Sequence, residues 1–412
     1  MKRTSATRFS LEPARDLCAR LGEPQRGLRA VHVAGSKGKG STASLIAAGL
    51  RAAGLAEAFY SSPHVIHLRE RLRIRGEDVQ PELLATALER ALDARETAAA
   101  EHTAAEEATW FDLLTAACFL AARESQAAWI VAECGLGGRL DSTNVIDGEV
   151  CVITNIELEH QAVLGPTRAA IAAEKAGILK RGCTAITGVP REDEAGRVID
   201  ARALELGVRV LRPLEGTWST ASIAQRNLAL AGAVLDELGR RGVHASDGRA
   251  IDASRLTPAV AAGAALPGRL EWFCQDGIPV ALDGGHVPAS VRDALRDLAA
   301  RQDARGGPGK PVVVLGLARD KDLPGILKAV STVTDRVVCT SVGSDLHFTP
   351  DEIAQEAVRC RLAAETAATP REALRRALVL ARDGGWVVAT GSLYLASSLR
   401  PMLKNADPEI GC

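Results

Sequence analysis

Residues 31–42 read V-H-V-A-G-S-K-G-K-G-S-T, with three glycines and two lysines between an alternating apolar stretch and a pair of hydroxyl residues. Gly35, Gly38 and Gly40 let the backbone turn tightly and bring N–H groups close to a ligand, while Ser41 and Thr42 open an apolar-periodic stretch that predicts a helix. A loop at a helix N-terminus offers phosphate both backbone donors and a favourable dipole. Lys39 is placed to reach terminal phosphates, and Ser41 or Thr42 to cap the helix or approach magnesium. The strict phosphate-loop spelling G-x-x-x-x-G-K-[ST] asks for glycine at Val33 and a hydroxyl residue at Gly40. Taken alone, the stretch reads as a nucleotide site or as an ordinary strand-to-helix turn.

Three further stretches carry ligand-type side chains. A second predicted strand ends in F-Y-S-S-P-H-V, which contains Ser62, and A-W-I-V-A-E-C ends a run too apolar for a surface strand with Glu133. Glu133, the Ser62 hydroxyl and a phosphate oxygen form a hard oxygen set of the kind magnesium takes. V-C-V-I-T-N-I followed by E-L-E-H brings His160 to the same edge. The plainer readings are a salt bridge for Glu133, a turn cap for Ser62 and a hydrogen-bonded structural histidine for His160.

Elements that position these residues follow from the pattern. Short β-branched runs alternate with longer alanine- and leucine-rich stretches, which predicts α/β units around a mainly parallel sheet. Strands are predicted at R-A-V-H-V-A-G, A-W-I-V-A-E-C, V-C-V-I-T-N-I, T-A-I-T-G-V, P-V-A-L-D-G, P-V-V-V-L-G, R-V-V-C-T-S-V and G-W-V-V-A-T-G. Several end in glycine or a polar residue, and open α/β sheets bind ligands at the carboxyl ends of their strands. The low-charge, Pro- and Gly-rich stretch between Asp252 and Pro267 marks a domain boundary. Residues 1–266 form one predicted domain, and 267–412, with about four strands, a smaller α/β domain.

Bulk properties exclude several classes. At 412 residues two domains are the natural expectation. The 50 basic and 51 acidic residues nearly cancel, so no overall field favours nucleic acid or an anionic membrane. Aromatic residues make up only 3%, which disfavours stacking platforms for single strands. The nine cysteines form no C-x-x-C pair, arguing against a disulfide framework or a structural zinc site and for a reducing cytoplasm. The basic start M-K-R-T-S-A-T-R-F-S is not followed by an apolar segment, and no apolar run approaches membrane-spanning length.

Taken together the stretches resemble the folylpolyglutamate synthase and dihydrofolate synthase family of the Mur ligase superfamily. That family spells its loop T-N-G-K-G-S, and S-K-G-K-G-S from Ser36 to Ser41 is a variant of it. The likeness continues through S-S-P-H-V, E-R-L-R-I-R-G, T-W-F-D, E-C-G-L-G-G-R-L-D-S-T-N, E-H-Q-A-V-L-G, A-E-K-A-G-I-L-K, P-G-R-L-E, L-D-G-G-H-V-P, D-K-D and T-G-S-L-Y. The resemblance implies a P-loop-type domain with a pterin or folate site, followed by a Rossmann-like domain that contributes ATP and glutamate contacts. It also implies an ATP-dependent acid–amino-acid ligase. On that resemblance, ATP would phosphorylate a carboxylate of a pterin-linked acid, and the amine of L-glutamate would attack the acyl phosphate and release phosphate.

Residue by residue, the resemblance assigns nucleotide contacts to Gly38, Lys39, Gly40, Ser41, Asn227, Arg269 and Asp283, and metal ligation to Ser62, Glu133 and His160. It assigns catalysis to Lys39, His160 and Lys175, and substrate contacts to Phe111, Asp112, Arg139 and His286. Lys175 occupies the position of a carbamylated lysine that bridges one of two magnesium ions; its plainer reading is a solvated helix lysine paired with Glu174. Unaided, the helical period puts Leu228, Ala231, Leu235 and Leu238 on one face and leaves Asn227 at the surface edge of that stripe. Arginine suits phosphate and a carboxylate suits ribose hydroxyls, so a nucleotide site split between two domains implies closure that excludes water. The expected partners are ATP, glutamate and a dihydropteroate or reduced folate, bound by a cytoplasmic monomer without nucleic acid or membrane.

Three positions depart from the family pattern. Val287 stands where D-G-A-H-N-P has asparagine, Lys37 replaces the asparagine of the loop, and Asp112 replaces the glutamate of T-x-F-E. These leave open a ligase acting on a non-folate carboxylate. A cell-wall Mur ligase is disfavoured by the short chain before the loop. A P-loop kinase or ATPase would need neither Lys175 nor Arg269 and Asp283, and a silent binding protein is disfavoured by the intact Lys39, Glu133, His160 and Lys175.

Overall fold

A computed structural model describes residues 10–304, 309–343, 345–382 and 384–403. Except for Ser10, the basic N-terminal stretch lies outside the described residues. The chain divides into two compact units, Met1–Ala265 and Leu266–Cys412.

Unit 1 is built on eight strands: β1 (Arg29–Ala34), β2 (Glu57–Tyr60), β3 (Leu72–Ile74), β4 (Glu77–Asp78), β5 (Trp129–Glu133), β6 (Gly148–Ile153), β7 (Thr184–Thr187) and β8 (Arg209–Leu211). Their order is β4-β3-β2-β5-β1-β6-β7-β8. The run from β2 to β8 is parallel, and β3 and β4 are added antiparallel at one edge. R-A-V-H-V-A is buried at five of its six positions because β1 is central, with β5 and β6 on its two sides. From β1 the chain passes over β5 to β2, whereas β6 to β8 extend the sheet the other way. Such a reversal of strand order opens a crevice at the carboxyl edge. The glycine loop after β1, Ser62 after β2, Glu133 ending β5 and residues 154–160 after β6 all lie along that edge.

Two helices are buried almost all round. In Lys39–Ala52, every residue from Thr42 to Leu50 is buried, and the helix packs against β5 and the helix Ile223–Arg240. In Trp110–Glu124, Asp112 to Ala122 are buried between the helices Glu12–Arg20 and Pro81–Glu101. Thr109 starts that helix with a capping box: its side chain accepts from Asp112 N while Asp112 accepts from Thr109 N.

Unit 2 has six strands, β9 (Glu271–Gln275), β10 (Ile278–Leu282), β11 (Pro311–Leu315), β12 (Arg336–Cys339), β13 (Ala363–Thr366) and β14 (Trp386–Thr390), in the order β13-β12-β11-β14-β10-β9. Only β9 is antiparallel to its neighbour. The strand period of two sends Val313, Leu315, Val337 and Val388 into one core, and Val312, Val314, Val338 and Val387 into another. Both faces are therefore covered, which is the doubly wound arrangement.

All eight strands predicted from β-branched runs are present, and so is the strand that ends in F-Y-S-S-P-H-V, which is β2. β3, β4, β8, β9 and β13 were not anticipated. They are two to five residues long, and β8 and β13 lie at sheet edges with half-exposed or exposed positions, so they lack the apolar run that marks a buried strand.

Candidate active site

The loop after β1 is held in shape by glycines that no other residue could replace without movement. Gly35 has φ +144°, and a Cβ there would stand 1.9 Å from Thr154 Oγ1; Gly38 has φ +78°, and a Cβ there would stand 2.6 Å from Asn227 Oδ1. Gly38 is the N-cap of the helix Lys39–Ala52, and no side chain caps that helix. Its first-turn N–H groups are thus left without a side-chain cap, the kind of donor set that takes phosphate.

Side chains from after β6 stitch the loop down. Asn155 Oδ1 accepts from Lys37 N at 2.8 Å, Thr154 Oγ1 donates to Lys37 O at 2.5 Å, and Ser36 Oγ accepts from Glu157 N at 2.9 Å. Lys39 Nζ donates to Gly35 O at 3.0 Å and Ser36 O at 3.4 Å. Lys175 Nζ donates to the same Gly35 carbonyl at 2.9 Å and pairs with Glu159 Oε1 at 3.0 Å. Two of the predicted lysines therefore converge on one carbonyl. Lys175 is 1% exposed, which corrects its reading as a solvated lysine; Glu174 instead takes Arg139, through Nη2 at 2.7 Å. The helix Arg168–Ala176 turns its buried face, with Ile171 and Ala172, toward the core, and Lys175 follows Ile171 by four residues on that face.

One carboxylate serves several cations. Burial pushes the Glu159 carboxyl up, but Lys175, Lys39 and Lys37 outweigh it and hold its pKa at about 2. Burial lowers the Lys175 amine, Glu159 partly restores it, and Lys39 lowers it again. The Glu159 shift comes from three lysines around one anion, whereas the Lys175 shift comes first from burial.

Two candidate metal ligands, Ser62 and Glu133, lie at the carboxyl ends of the neighbouring strands β2 and β5, while His160 follows β6 on the far side of β1. Glu133 is buried, and its Oε2 accepts from Ser62 N at 3.1 Å, which ties β5's carboxylate to the turn after β2. His160 is exposed, at φ +47°, at the start of the short helix Gln161–Leu164. Among the described residues no group of three or more His, Cys, Asp and Glu side chains could by itself hold a metal ion. A hard cation that keeps water and takes hydroxyl and phosphate oxygens needs no such cluster, and Glu133 and Ser62 carry oxygen donors of that kind.

Asn227 corrects the reading from helical period. It is buried, whereas Leu228 is 39% exposed. The buried stripe runs through Asn227, Leu230, Ala231, Val234 and Leu238, one residue out of phase with the predicted face at its N-terminal end. Thr42 Oγ1 donates to Asn227 Oδ1 at 3.3 Å, which satisfies the amide oxygen and sets it against the Gly38 backbone.

The predicted substrate residues are less uniform. Phe111 lies beside Tyr60, with ring centroids 6.3 Å apart. Asp112 is buried; one oxygen accepts from Thr109 and the other from Ser142 Oγ. It thus anchors the loop G-L-G-G-R-L-D-S-T-N from below. Within that loop Asp141 accepts from Leu136 N at 2.8 Å and Thr143 N at 3.0 Å.

In unit 2, Asp283 Oδ1 accepts from Gly285 N at 2.8 Å and Oδ2 from Leu270 N at 3.2 Å, so it fixes the turn after β10. Arg269 Nη1 donates to Gly268 O at 3.4 Å, and His286 Nδ1 lies 3.1 Å from Gly284 O. At Val287, where an asparagine side chain was expected, Ser290 Oγ donates to Val287 O at 3.0 Å and secures the start of the helix Pro288–Ala304.

Sequence reasoning did not single out Glu159, Thr154, Asn155, Ser36, Asp141 or Ser142. For Thr154, Asn155 and Glu159 the local signal was the polar tail T-N-I-E-L-E-H after an apolar strand, and for Ser36, Asp141 and Ser142 the quoted loop motifs, which mark the segments but not the partner of each residue.

Comparison with known proteins fixes the relationship. Residues 268–393 match the model of the Mur ligase glutamate ligase domain. The chain is 31% identical over 426 residues to the folylpolyglutamate synthase of Lacticaseibacillus casei, covering 93% of this chain and 92% of that protein. It belongs to the folylpolyglutamate synthase/dihydrofolate synthase family. Solved structures of family members superpose closely. Escherichia coli FolC in complex with DHPP and ADP gives a TM-score of 0.81 at 26% identity, over 97% of this chain and 94% of that one. The Yersinia pestis bifunctional folylpolyglutamate synthase/dihydrofolate synthase with AMPPNP and a manganese ion gives 0.81 at 26% identity, over 97% and 95%. The family fold is thus the Mur ligase arrangement of a large mainly parallel sheet unit and a second α/β unit, and both units of this chain have that form.

Proposed function

We propose that this chain is an ATP-dependent ligase that adds L-glutamate to dihydropteroate, to folate (poly)glutamates, or to both. The observation that carries the reading is the glycine cradle at the uncapped start of Lys39–Ala52, with Lys39 and Lys175 converging on Gly35 O beside it. The ADP, AMPPNP, manganese and DHPP of the related structures support it.

A carboxylate is a poor electrophile. Transfer of the terminal phosphoryl group of ATP to one carboxylate oxygen makes an acyl phosphate, and the glutamate amine then forms the amide bond as phosphate leaves with the C–O electron pair. The first-turn N–H groups at Gly40 and Ser41 hold the inner phosphates, and Lys39 offsets the charge that develops outward. Asn227 keeps the backbone at Gly38 where the cradle needs it. Phe111 supplies an apolar wall for the pterin, with Asp112 holding that wall to the loop above it. Ser62, Glu133 and His160 would hold magnesium, which when bound offsets phosphate charge. In the second unit, Arg269 and Asp283 are assigned to the nucleotide and His286 to substrate, and Arg139 to substrate in the first. Lys175 is buried with a weakened hold on its proton, which favours the neutral amine that captures carbon dioxide, and we retain its carbamylation as part of this reading. The resulting carbamate stands beside Glu159, so it needs cations around it.

The test is product mass after incubation with dihydropteroate or a reduced folate, ATP, magnesium and L-glutamate. One added glutamyl residue, with phosphate release that requires both glutamate and the pterin-linked acid, is the expected result. ATP turnover indifferent to both compounds would overturn the ligase reading, and turnover with glutamate but only a non-folate acid would overturn the choice of substrate.

A further inference from the structure

His32 puts an imidazole in the middle of the central strand β1, and nothing in the mechanism above uses it. It is 0% exposed, beside a glycine that makes room for it: a Cβ at Gly148, the first residue of β6, would stand 3.1 Å from His32 Cβ. Burial pushes the imidazole pKa down to about 3, so the ring is neutral at neutral pH and one nitrogen carries its proton.

The neighbours decide which nitrogen. His32 Nε2 lies 2.8 Å from Thr143 Oγ1 and 3.1 Å from Cys134 Sγ. Thr143 Oγ1 donates to Asp141 Oδ1 at 2.5 Å, and both Asp141 oxygens also accept backbone N–H groups, from Thr143 at 3.0 Å and Leu136 at 2.8 Å. The hydroxyl has one hydrogen, already given to a carboxylate that only accepts, so toward His32 it accepts in turn and Nε2 carries the ring proton. Nδ1 is then a bare acceptor, and it is the buried ring atom without a hydrogen-bond partner. A buried acceptor left unpaired is less rare than a buried donor, which agrees with this tautomer. His32, Thr143 and Asp141 thus form one directed chain, from Nε2–H to hydroxyl to carboxylate.

That chain ends in the loop assigned to substrate. Gly135 lies against Phe111, where a Cβ would stand 2.5 Å from the ring, and the next residue is Leu136, whose N–H Asp141 holds. Arg139 is held at its carbonyl by Asn144 Nδ2 at 3.0 Å, and Asn144 directly follows Thr143. A shift of Thr143 therefore reaches the support of Phe111 through Asp141 and the backbone of Arg139 through Asn144.

We propose that His32 is a positioning residue for the pterin-linked acid: through Thr143 and Asp141 it fixes the loop 135–139 that supports Phe111 and carries Arg139. The inference rests on the substrate reading given above. His32 itself touches no reacting atom.

Titration calorimetry of the full chain with dihydropteroate, and separately with ADP in magnesium buffer, tests it. His32→Leu removes the donor but leaves Asp141 its hydroxyl and both backbone bonds, and an apolar side chain replaces a ring with an unpaired nitrogen, so the variant folds. Loss of one hydrogen bond's worth of loop positioning weakens dihydropteroate binding about fivefold while ADP binding stays within about twofold. His32→Gln sets an amide N–H where Nε2–H stood and recovers most of the loss. Thr143→Val breaks the chain at its next link, away from the central strand, and weakens dihydropteroate binding at least as much as His32→Leu. Equal weakening of both ligands, no recovery with glutamine, or dihydropteroate binding unchanged within about twofold in Thr143→Val would overturn the proposal. A wild-type chain that bound ADP but not dihydropteroate would overturn the substrate reading itself, and this proposal with it.

Discussion

Lys39 and Lys175 donate to the same carbonyl, at 3.0 and 2.9 Å, yet their removal has opposite consequences. Lys39→Ala takes donors from Gly35 O and Ser36 O, but Gly35 O keeps Lys175, and the Lys39 side chain is only half-buried. The fold therefore loses about one hydrogen bond's worth of stability, roughly 1 kcal/mol. Activity loses a charge aimed at the transferring phosphoryl group, a change that costs about 10²–10³ in rate. With Lys175 as the unmodified amine, Lys175→Met leaves the Glu159 carboxylate, whose side chain is 7% exposed, without its ion-pair partner. Breaking a buried pair from one side costs about 3–5 kcal/mol, and the nearby Lys37 and Lys39 place this case toward the lower figure.

A double variant isolates the cause. Lys175→Met with Glu159→Gln removes the orphaned charge and regains stability relative to Lys175→Met alone. Thermal unfolding by circular dichroism, measured beside phosphate release, reads both quantities. The reasoning fails if Lys39→Ala destabilises as much as Lys175→Met, or if the double variant is no more stable than Lys175→Met.

Two further outcomes are expected. Gly38→Ala forces an L-residue to φ +78° and drives its Cβ to 2.6 Å from Asn227 Oδ1, so ADP affinity falls by about tenfold from the left-handed backbone cost alone; adding Asn227→Ala recovers the steric share and leaves the backbone share, as titration calorimetry of the single and double variants will show. Glu237 is buried beneath Arg209, Arg240 and Arg241; burial pushes its carboxyl up, but hydrogen bonds from Arg240, Thr184 and Arg241 outweigh that and hold its pKa at about 2, against an ordinary value of 4.5. A depressed carboxylate pKa contributes stability that is fully present above pH 4.5 and is lost as pH falls toward 2, so Glu237→Gln lowers stability at neutral pH and flattens the acid limb of the unfolding curve between those values. An acid limb unchanged by the substitution would contradict the assignment.

What the sequence made legible and what it hid differ by the range of the interaction. β1, β5, β6, β11 and β14 are central strands buried on both faces, and their β-branched runs announce them without reference to any partner. The glycine loop and the helix after it are equally local, since turn and dipole come from neighbouring residues. The stitches that hold that loop are not local: Thr154 meets Lys37 across 117 residues and Lys175 meets Gly35 across 140. No period or spacing encodes such a pair, so Glu159 and Asn155 passed as polar loop residues, and only the resemblance, not the helical pattern, marked Lys175 as more than a solvated lysine.

Asn227 shows the intermediate case. The period of its helix was read correctly, but its phase was off by one residue near the N-terminus, because Leu228 is the more apolar side chain and Asn227 the one with a partner. Burial there is decided by Thr42 and the bare backbone at Gly38, which accept an amide and would reject a leucine.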